Sequence, residues 1–120
     1  MSVTHNAISD DYLQPTFNET FMKSVVDRIV NTFHPRRVIL FGSHATGQSR
    51  PHSDIDLFIE MESELTPARR SQAVAEALGE DDWMFDIIVY TPEEFQATKQ
   101  IIGMLPYIVE QEGKVLYERP

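Results

Sequence analysis

Three aspartates and a glycine–serine pair are the residues of this chain whose types and spacing could do chemistry. Asp54 and Asp56 stand two positions apart in the run DIDLFIE, and Asp86 stands inside the apolar run WMFDIIVY. Gly42 and Ser43 directly follow the β-branched and aromatic run RRVILF. Carboxylates suit a hard divalent cation, and a glycine followed by a hydroxyl suits a phosphate. The pattern indicates metal-dependent chemistry on a phosphorylated substrate.

The aspartate pair is expected on one face of a strand, because successive side chains in a strand alternate between faces. Ile55, Leu57 and Ile59 then form the opposite, core-facing side. Two carboxylates about 7 Å apart along a strand repel each other unless one is protonated or a cation bridges them. Ligands that are all oxygen favour magnesium over zinc or copper. Taken alone, the Asp54–Asp56 pair is a weak signal, because aspartates two positions apart at the start of a strand more often belong to a solvated turn.

Asp86 and the glycine–serine pair strengthen the metal interpretation. An unpaired carboxylate in a buried strand costs several kcal/mol or stays protonated, and a metal ion would remove that cost. The alternative is that Asp86 lies at the exposed rim of its strand. After Gly42, the segment SHAT is expected to form a short helical turn whose backbone N–H groups, with the Ser43 hydroxyl, make an anion cradle. Ordinary turn chemistry is the alternative for this pair.

The elements that must position these residues follow from apolar periodicity and from helix caps. The predicted order begins with a helix from 18 to 34, a strand at 36–41, a polar loop at 42–53 and a strand at 54–60. It continues with a helix from 66 to 78, a strand at 83–90, a helix from 91 that breaks near 103 and restarts at 106, and a strand at 114–118. Thr91 to Glu94 (TPEE) reads as a capping box. This order predicts an α/β fold with one helical layer on one sheet.

The bulk composition bounds the protein to one small domain. A chain of 120 residues has room for one core, which we expect at 16–120 behind a flexible arm at 1–15. The formal charge of −9 argues against broad nucleic-acid binding, which needs a basic face. It suits an acidic metal site or a basic partner, although it could simply keep the domain soluble.

Compartment is also predicted from composition. The chain contains no cysteine, which excludes disulfides and thiolate chemistry. Its N-terminus does not read as a signal peptide, and no apolar run approaches the roughly 18 residues that a membrane span needs. We therefore expect a cytoplasmic protein without membrane contact.

The combined motif resembles a known signature. Gly42-Ser43, ten intervening residues and Asp54-Ile55-Asp56 are similar to the signature of the DNA polymerase β-like nucleotidyltransferases. The small size resembles the MNT-type minimal nucleotidyltransferases, and the runs FDIIVYTPEEF and IVEQEGKVLYE are also similar to that family. The resemblance covers roughly residues 20 to 118. It implies the nucleotidyltransferase fold, a small mixed sheet of about four strands with helices packed on it.

The resemblance also implies roles for the site residues. Asp54, Asp56 and Asp86 match the family's metal-ligating and catalytic carboxylates, which hold two magnesium ions. Gly42 and Ser43 match its phosphate-gripping pair. The reaction implied is in-line transfer of AMP from ATP to a hydroxyl group, helped by the two ions.

The loop between Ser43 and Asp54 also carries an arginine and two histidines. Arg50 falls where many members carry an arginine, and is expected to contact the triphosphate. His44 departs from the arginine often found after the glycine–serine pair. For His44 and His52 we expect solvation of the loop, because histidine is not needed for this chemistry.

The resemblance further implies a biological partner. MNT-type proteins are commonly antitoxins of HEPN-domain ribonuclease toxins, and members neutralise the toxin by transferring AMP to one of its tyrosines. Two alternatives stay open. One is a non-catalytic antitoxin that neutralises the toxin by binding. The other is transfer to a small molecule, as in the aminoglycoside nucleotidyltransferases, which carry an additional helical domain.

Overall fold

The computed structural model describes residues 18–49, 53–79 and 84–120. The helices are α1 (Glu19–Phe33), α2 (Ser43–Thr46), α3 (Pro67–Leu78), α4 (Pro92–Thr98) and α5 (Leu105–Glu112). The strands are β1 (Arg37–Phe41), β2 (Ile55–Glu60), β3 (Phe85–Tyr90) and β4 (Lys114–Glu118). The predicted order of elements is confirmed. The predicted arm at 1–15, Arg50 and His52 lie outside the described residues.

Helix boundaries are set by local hydrogen bonds that the sequence contains. The Phe21 N–H donates to Asn18 Oδ1 at 2.8 Å, which caps the start of α1. At α4 the predicted capping box is present: the Glu94 N–H donates to Thr91 Oγ1 at 3.2 Å, and the Thr91 N–H donates to Glu94 Oε1 at 2.9 Å. α3 ends at Gly79, as predicted. None of the helices in the described ranges is long and apolar enough to cross a membrane.

The four strands form one mixed sheet in the order β3-β2-β1-β4. β1 pairs antiparallel with β2 and with β4, whereas β2 pairs parallel with β3. The parallel pair is possible because α3 connects β2 to β3 and carries the chain back to the same end of the sheet. This arrangement confirms the predicted mixed sheet of four strands with helices packed on it.

One face of the sheet holds the main core, beneath α1 and α3. The predicted core positions Ile55, Leu57 and Ile59 are all buried here. The other members are Met22, Val25, Val26 and Ile29 of α1, Val38 and Leu40 of β1, Met61 directly after β2, Val74 and Leu78 of α3, and Ile87 and Val89 of β3. The face on which β2 buries its alternate residues was therefore predictable from spacing alone.

The opposite face is covered as well, so the predicted single helical layer is wrong. Ile39, Phe58, Phe95 and Val109 form a second buried cluster, which brings α4 and α5 onto this side of the sheet. Phe58 is two residues beyond Asp56 and thus shares its face. The aspartate-bearing face is open near the start of β2 and is buried further along the same strand, at Phe58 and Glu60.

Candidate active site

The register of the parallel strands brings Asp56 and Asp86 side by side. The two residues are Cα partners in the β2–β3 ladder. Paired positions on neighbouring strands lie about 4.8 Å apart and project to the same face. Asp54 lies just before β2, two positions from Asp56, and its charge acts on the Asp56 carboxylate. The structure thus gathers the three predicted aspartates at one end of one sheet face.

The exposure of the aspartates corrects one sequence argument. Asp54 and Asp86 are exposed, and Asp56 is half-buried. Asp86 is the second residue of β3 and lies at the rim of the sheet, as the alternative interpretation held. The cost of burying a carboxylate therefore does not apply to Asp86. What singles it out is its position beside Asp56.

Gly42 is packed directly against the Asp56 carboxylate. It follows β1 and has a φ of 72°, which favours glycine. A Cβ atom at this position would collide with Asp56 Oδ2 and would lie 3.0 Å from Asp56 Cγ. Gly42 and Asp56, which are separated in sequence, therefore lie in contact.

Helix α2 follows Gly42 at once, as the expected helical turn. The N–H groups of Ala45 and Thr46 both donate to the Gly42 carbonyl oxygen, at 3.0 and 3.1 Å. The first N–H groups of a helix have no partners within the helix and point outward from its start. With only four residues, α2 has little dipole, so its contribution is a set of directed N–H groups beside the Ser43 hydroxyl.

His44 is the site residue whose contact the sequence did not reveal. Its ring is half-buried, and Nε2 lies 3.2 Å from the carbonyl oxygen of Ser53. A carbonyl oxygen only accepts, so Nε2 carries the hydrogen in this bond. The expected role in solvating the loop therefore does not describe the His44 side chain. Its position directly after the glycine–serine pair was the available signal, but spacing alone does not show how a loop closes.

Negative charge is concentrated at this end of the sheet. Burial raises the pKa of Asp56, the nearby charges of Asp86 and then Asp54 raise it further, and His44 lowers it. Across the three described ranges, no lysine or arginine forms an ion pair with any of these aspartates. Such a cluster of repelling carboxylates suits the binding of a divalent cation.

The aspartates are not already arranged as a complete metal cage. In the part of the chain that the structure describes, no three His, Cys, Asp or Glu side chains lie close enough together to hold one ion. The donor set nevertheless fits magnesium, which takes only one or two carboxylates together with water and substrate phosphates. Binding would require the carboxylates to turn toward a common point, which their exposure allows.

Comparisons with known proteins concern the family and the fold. Residues 22–116 match the family model described as a nucleotidyltransferase domain. No curated protein sequence matches the chain. The fold is similar to that of a candidate nucleotidyltransferase from Sulfolobus solfataricus, with a TM-score of 0.60 and 21% identity over 94% of this chain and 87% of that chain.

A second solved structure is a toxin–antitoxin with AMP-PNP. One of its chains is similar to this one, with a TM-score of 0.53 and 19% identity over 81% of this chain and 73% of that chain. At such identities, the likeness to either structure establishes the fold alone.

Proposed function

The chain belongs to the family of nucleotidyltransferase domains, and from that membership we propose that it transfers AMP from ATP to a hydroxyl group in a magnesium-dependent reaction. The observation that carries this proposal is the pairing of Asp56 with Asp86 in the β2–β3 register, with Gly42 against the Asp56 carboxylate. Metal-binding groups and a phosphate-binding turn are then close enough to act on the same triphosphate.

Each site residue has a role in the proposed reaction. Magnesium ions, when bound, supply positive charge that offsets the triphosphate and lowers the pKa of the acceptor hydroxyl. Asp54, Asp56 and Asp86 would hold these ions. The acceptor oxygen forms a bond to the α-phosphorus as the bond to pyrophosphate breaks. Asp86 accepts the proton that the hydroxyl loses.

The triphosphate is held by the segment that follows β1. The backbone N–H groups at Gly42 and Ser43, with the Ser43 hydroxyl, donate to its oxygens. Arg50, which lies outside the described residues, is proposed to contact the same phosphates, as expected from the sequence. Little covalent chemistry falls to these groups, because positioning and charge compensation account for most of such catalysis.

The proposed acceptor is a tyrosine of a cognate HEPN-domain toxin, which makes this chain an MNT-type antitoxin. The likeness to a chain of a toxin–antitoxin structure supports a toxin partner. The formal charge of −9 also suits a ribonuclease, whose RNA-binding surface is basic.

An exposed apolar turn further supports a protein partner. Between α4 and α5, Ile101 and Ile102 are 49% and 81% exposed, and Met104 is 38% exposed. The turn is held by a hydrogen bond from the Met104 N–H to the Ile101 carbonyl oxygen at 3.1 Å, and Gly103 adopts a φ of 91°. Large apolar side chains held outward on an ordered turn are typical of a surface that a partner covers.

The test replaces the two paired aspartates. The variant Asp54→Asn/Asp56→Asn is expected to lower transfer of labelled AMP to the cognate toxin by at least about a thousandfold, or about 4 kcal/mol in the barrier. Asp27→Asn makes the same chemical change on the outer face of α1 and should retain full transfer. Transfer by the double variant at the wild-type rate would reject the proposed site.

The apolar turn also favours a second candidate, an antitoxin that neutralises its toxin by binding alone. The two candidates differ in cells that express the toxin. If neutralisation requires transfer, Asp54→Asn/Asp56→Asn fails to protect the cells. If binding suffices, that variant protects them and Ile102→Asp does not.

A further inference from the structure

We propose that His44 is a positioning residue, whose bond to Ser53 holds the phosphate-binding turn and the aspartate-bearing strand in one fixed relation. This inference rests on the proposed function and deepens it. The chain leaves the sheet after Phe41 and re-enters it at Ile55, two residues beyond Ser53. His44 lies in the segment that follows β1, and its ring contacts Ser53, nine positions further along the chain.

Several hydrogen bonds between described residues at α2 act within its own segment. The N–H groups of Ala45 and Thr46 donate back to Gly42, and the Gln48 N–H donates to the Ser43 carbonyl oxygen at 2.9 Å. These bonds shape the turn without setting where it lies relative to β2. The bond from the His44 ring to Ser53 joins the turn to the segment that leads into β2, and adds to the packing of Gly42 against Asp56.

The accepting atom links this contact to the aspartates through the backbone. The Ser53 carbonyl belongs to the same planar peptide unit as the Asp54 N–H. A bond that orients this carbonyl therefore also orients the backbone from which the Asp54 side chain projects. The imidazole also lies near enough to Asp56 for its charge to act on that carboxylate. One side chain of the phosphate-binding turn thus bonds to the peptide unit that leads into Asp54 and also lies near Asp56.

Loss of this link should impair metal binding and turnover more than folding. Removal of a partner that orients a metal-binding carboxylate typically lowers metal affinity or activity by about 10–100-fold. A small displacement of a reacting group has a comparable effect on rate. The ring is only half-buried, so its removal should have little effect on the stability of the core.

The experiment compares two substitutions in the full-length chain. His44→Leu places an apolar side chain at the position, which cannot donate to Ser53. His44→Gln places an amide N–H near the position of Nε2 and should restore the bond. Gln48→Leu adds the same apolar side chain at an exposed position of this loop, and is the control.

Three measurements are made on each variant: the resonance and hydrogen exchange of the Asp54 amide, magnesium affinity followed at that amide, and kcat and KM for ATP. For His44→Leu we expect a shifted, faster-exchanging amide, together with magnesium affinity and kcat lowered by about 10–100-fold and a smaller change in KM. His44→Gln should recover most of each loss, and Gln48→Leu should resemble the wild type.

The outcomes separate this inference from the proposed function. An unchanged Asp54 amide and unchanged magnesium affinity in His44→Leu would overturn it, as would equal losses in His44→Gln and His44→Leu. If the wild type transfers no AMP, the proposed reaction fails. The amide and magnesium measurements then still decide whether His44 positions the aspartates.

Discussion

Strand β2 carries two acidic side chains on one face, Asp56 near its start and Glu60 at its end, and their surroundings differ. Glu60 is 1% exposed, and its Oε1 accepts from Arg37 Nε at 2.8 Å. Arg37 also pairs with Glu110 and stacks 4.7 Å over the ring of Phe95. About 13 Å away along the strand, Asp56 lies beside other aspartates, and no described lysine or arginine pairs with it.

The difference separates a structural carboxylate from a candidate functional one. At the covered end, α4 and α5 exclude water, and an arginine compensates the charge. At the open end, the register adds Asp86 to Asp56 and thereby increases the repulsion. A fold that pairs its buried carboxylate with arginine but places like charges side by side four residues earlier retains negative charge where a cation would bind.

The largest expected effect is at the covered end. Arg37→Met should leave Glu60 buried without its closest partner, and should lower the free energy of unfolding by about 3–5 kcal/mol. Urea denaturation measures this loss. Lys23→Met breaks the exposed pair with Asp27 on α1 and should cost about 0.5 kcal/mol or less. If the two variants lose the same stability, the contrast between a buried and an exposed carboxylate is wrong.

An intermediate effect is expected at the open end when magnesium is added. A ligand that binds only the folded protein stabilises it by about 2.7 kcal/mol at a hundredfold excess over its Kd. Thermal unfolding of the wild type should therefore move to higher temperature with magnesium, and removal of magnesium with a chelator should reverse the shift. In Asp56→Asn the shift should be absent. An equal shift in both proteins, at matched ionic strength, would place the ion elsewhere.

The smallest effect concerns Asp56 without metal. Its pKa is raised above the ordinary 3.8 by burial and then by Asp86 and Asp54, so the folded protein holds this proton more tightly than the unfolded chain. The charge then destabilises the fold as pH rises from 3.8 through the raised folded value. Asp56→Asn should increase stability at neutral pH by at most about 1 kcal/mol, because solvent screens the site.

The acid side of that experiment provides its control. Below pH 3.8, Asp56 is protonated in both states, and the gain from Asp56→Asn should disappear. Denaturation curves at neutral and acidic pH measure the difference. A gain that is independent of pH would mean that the substitution acts through packing, and that the repulsion between aspartates is negligible.

Local features of the fold were predictable because they depend on neighbouring residues. The capping box of Thr91 and Glu94 closes within three positions, and the shared face of Asp54 and Asp56 follows from strand alternation. The approach of Gly42 to the aspartates was expected from a resemblance, since the bare spacing of the motif does not specify contact.

The remaining features depend on long-range packing. The pairing of Asp56 with Asp86 follows from how α3 returns the chain to the sheet, which no local pattern encodes. Phe58 was placed on the aspartate face by alternation, but its burial under Phe95 could not be foreseen without the position of α4. The His44 contact with Ser53 depends on loop closure, for which spacing carries little information.

The contact between Gly42 and Asp56 has a consequence for how such sites can vary over evolution. Glycine has no functional group, yet any side chain at position 42 would have to occupy the volume of the neighbouring carboxylate. A substitution there would move a charge on another strand. The two positions are therefore expected to change together or not at all in sequences descended from a common ancestor, one conserved for its chemistry and the other for its lack of volume.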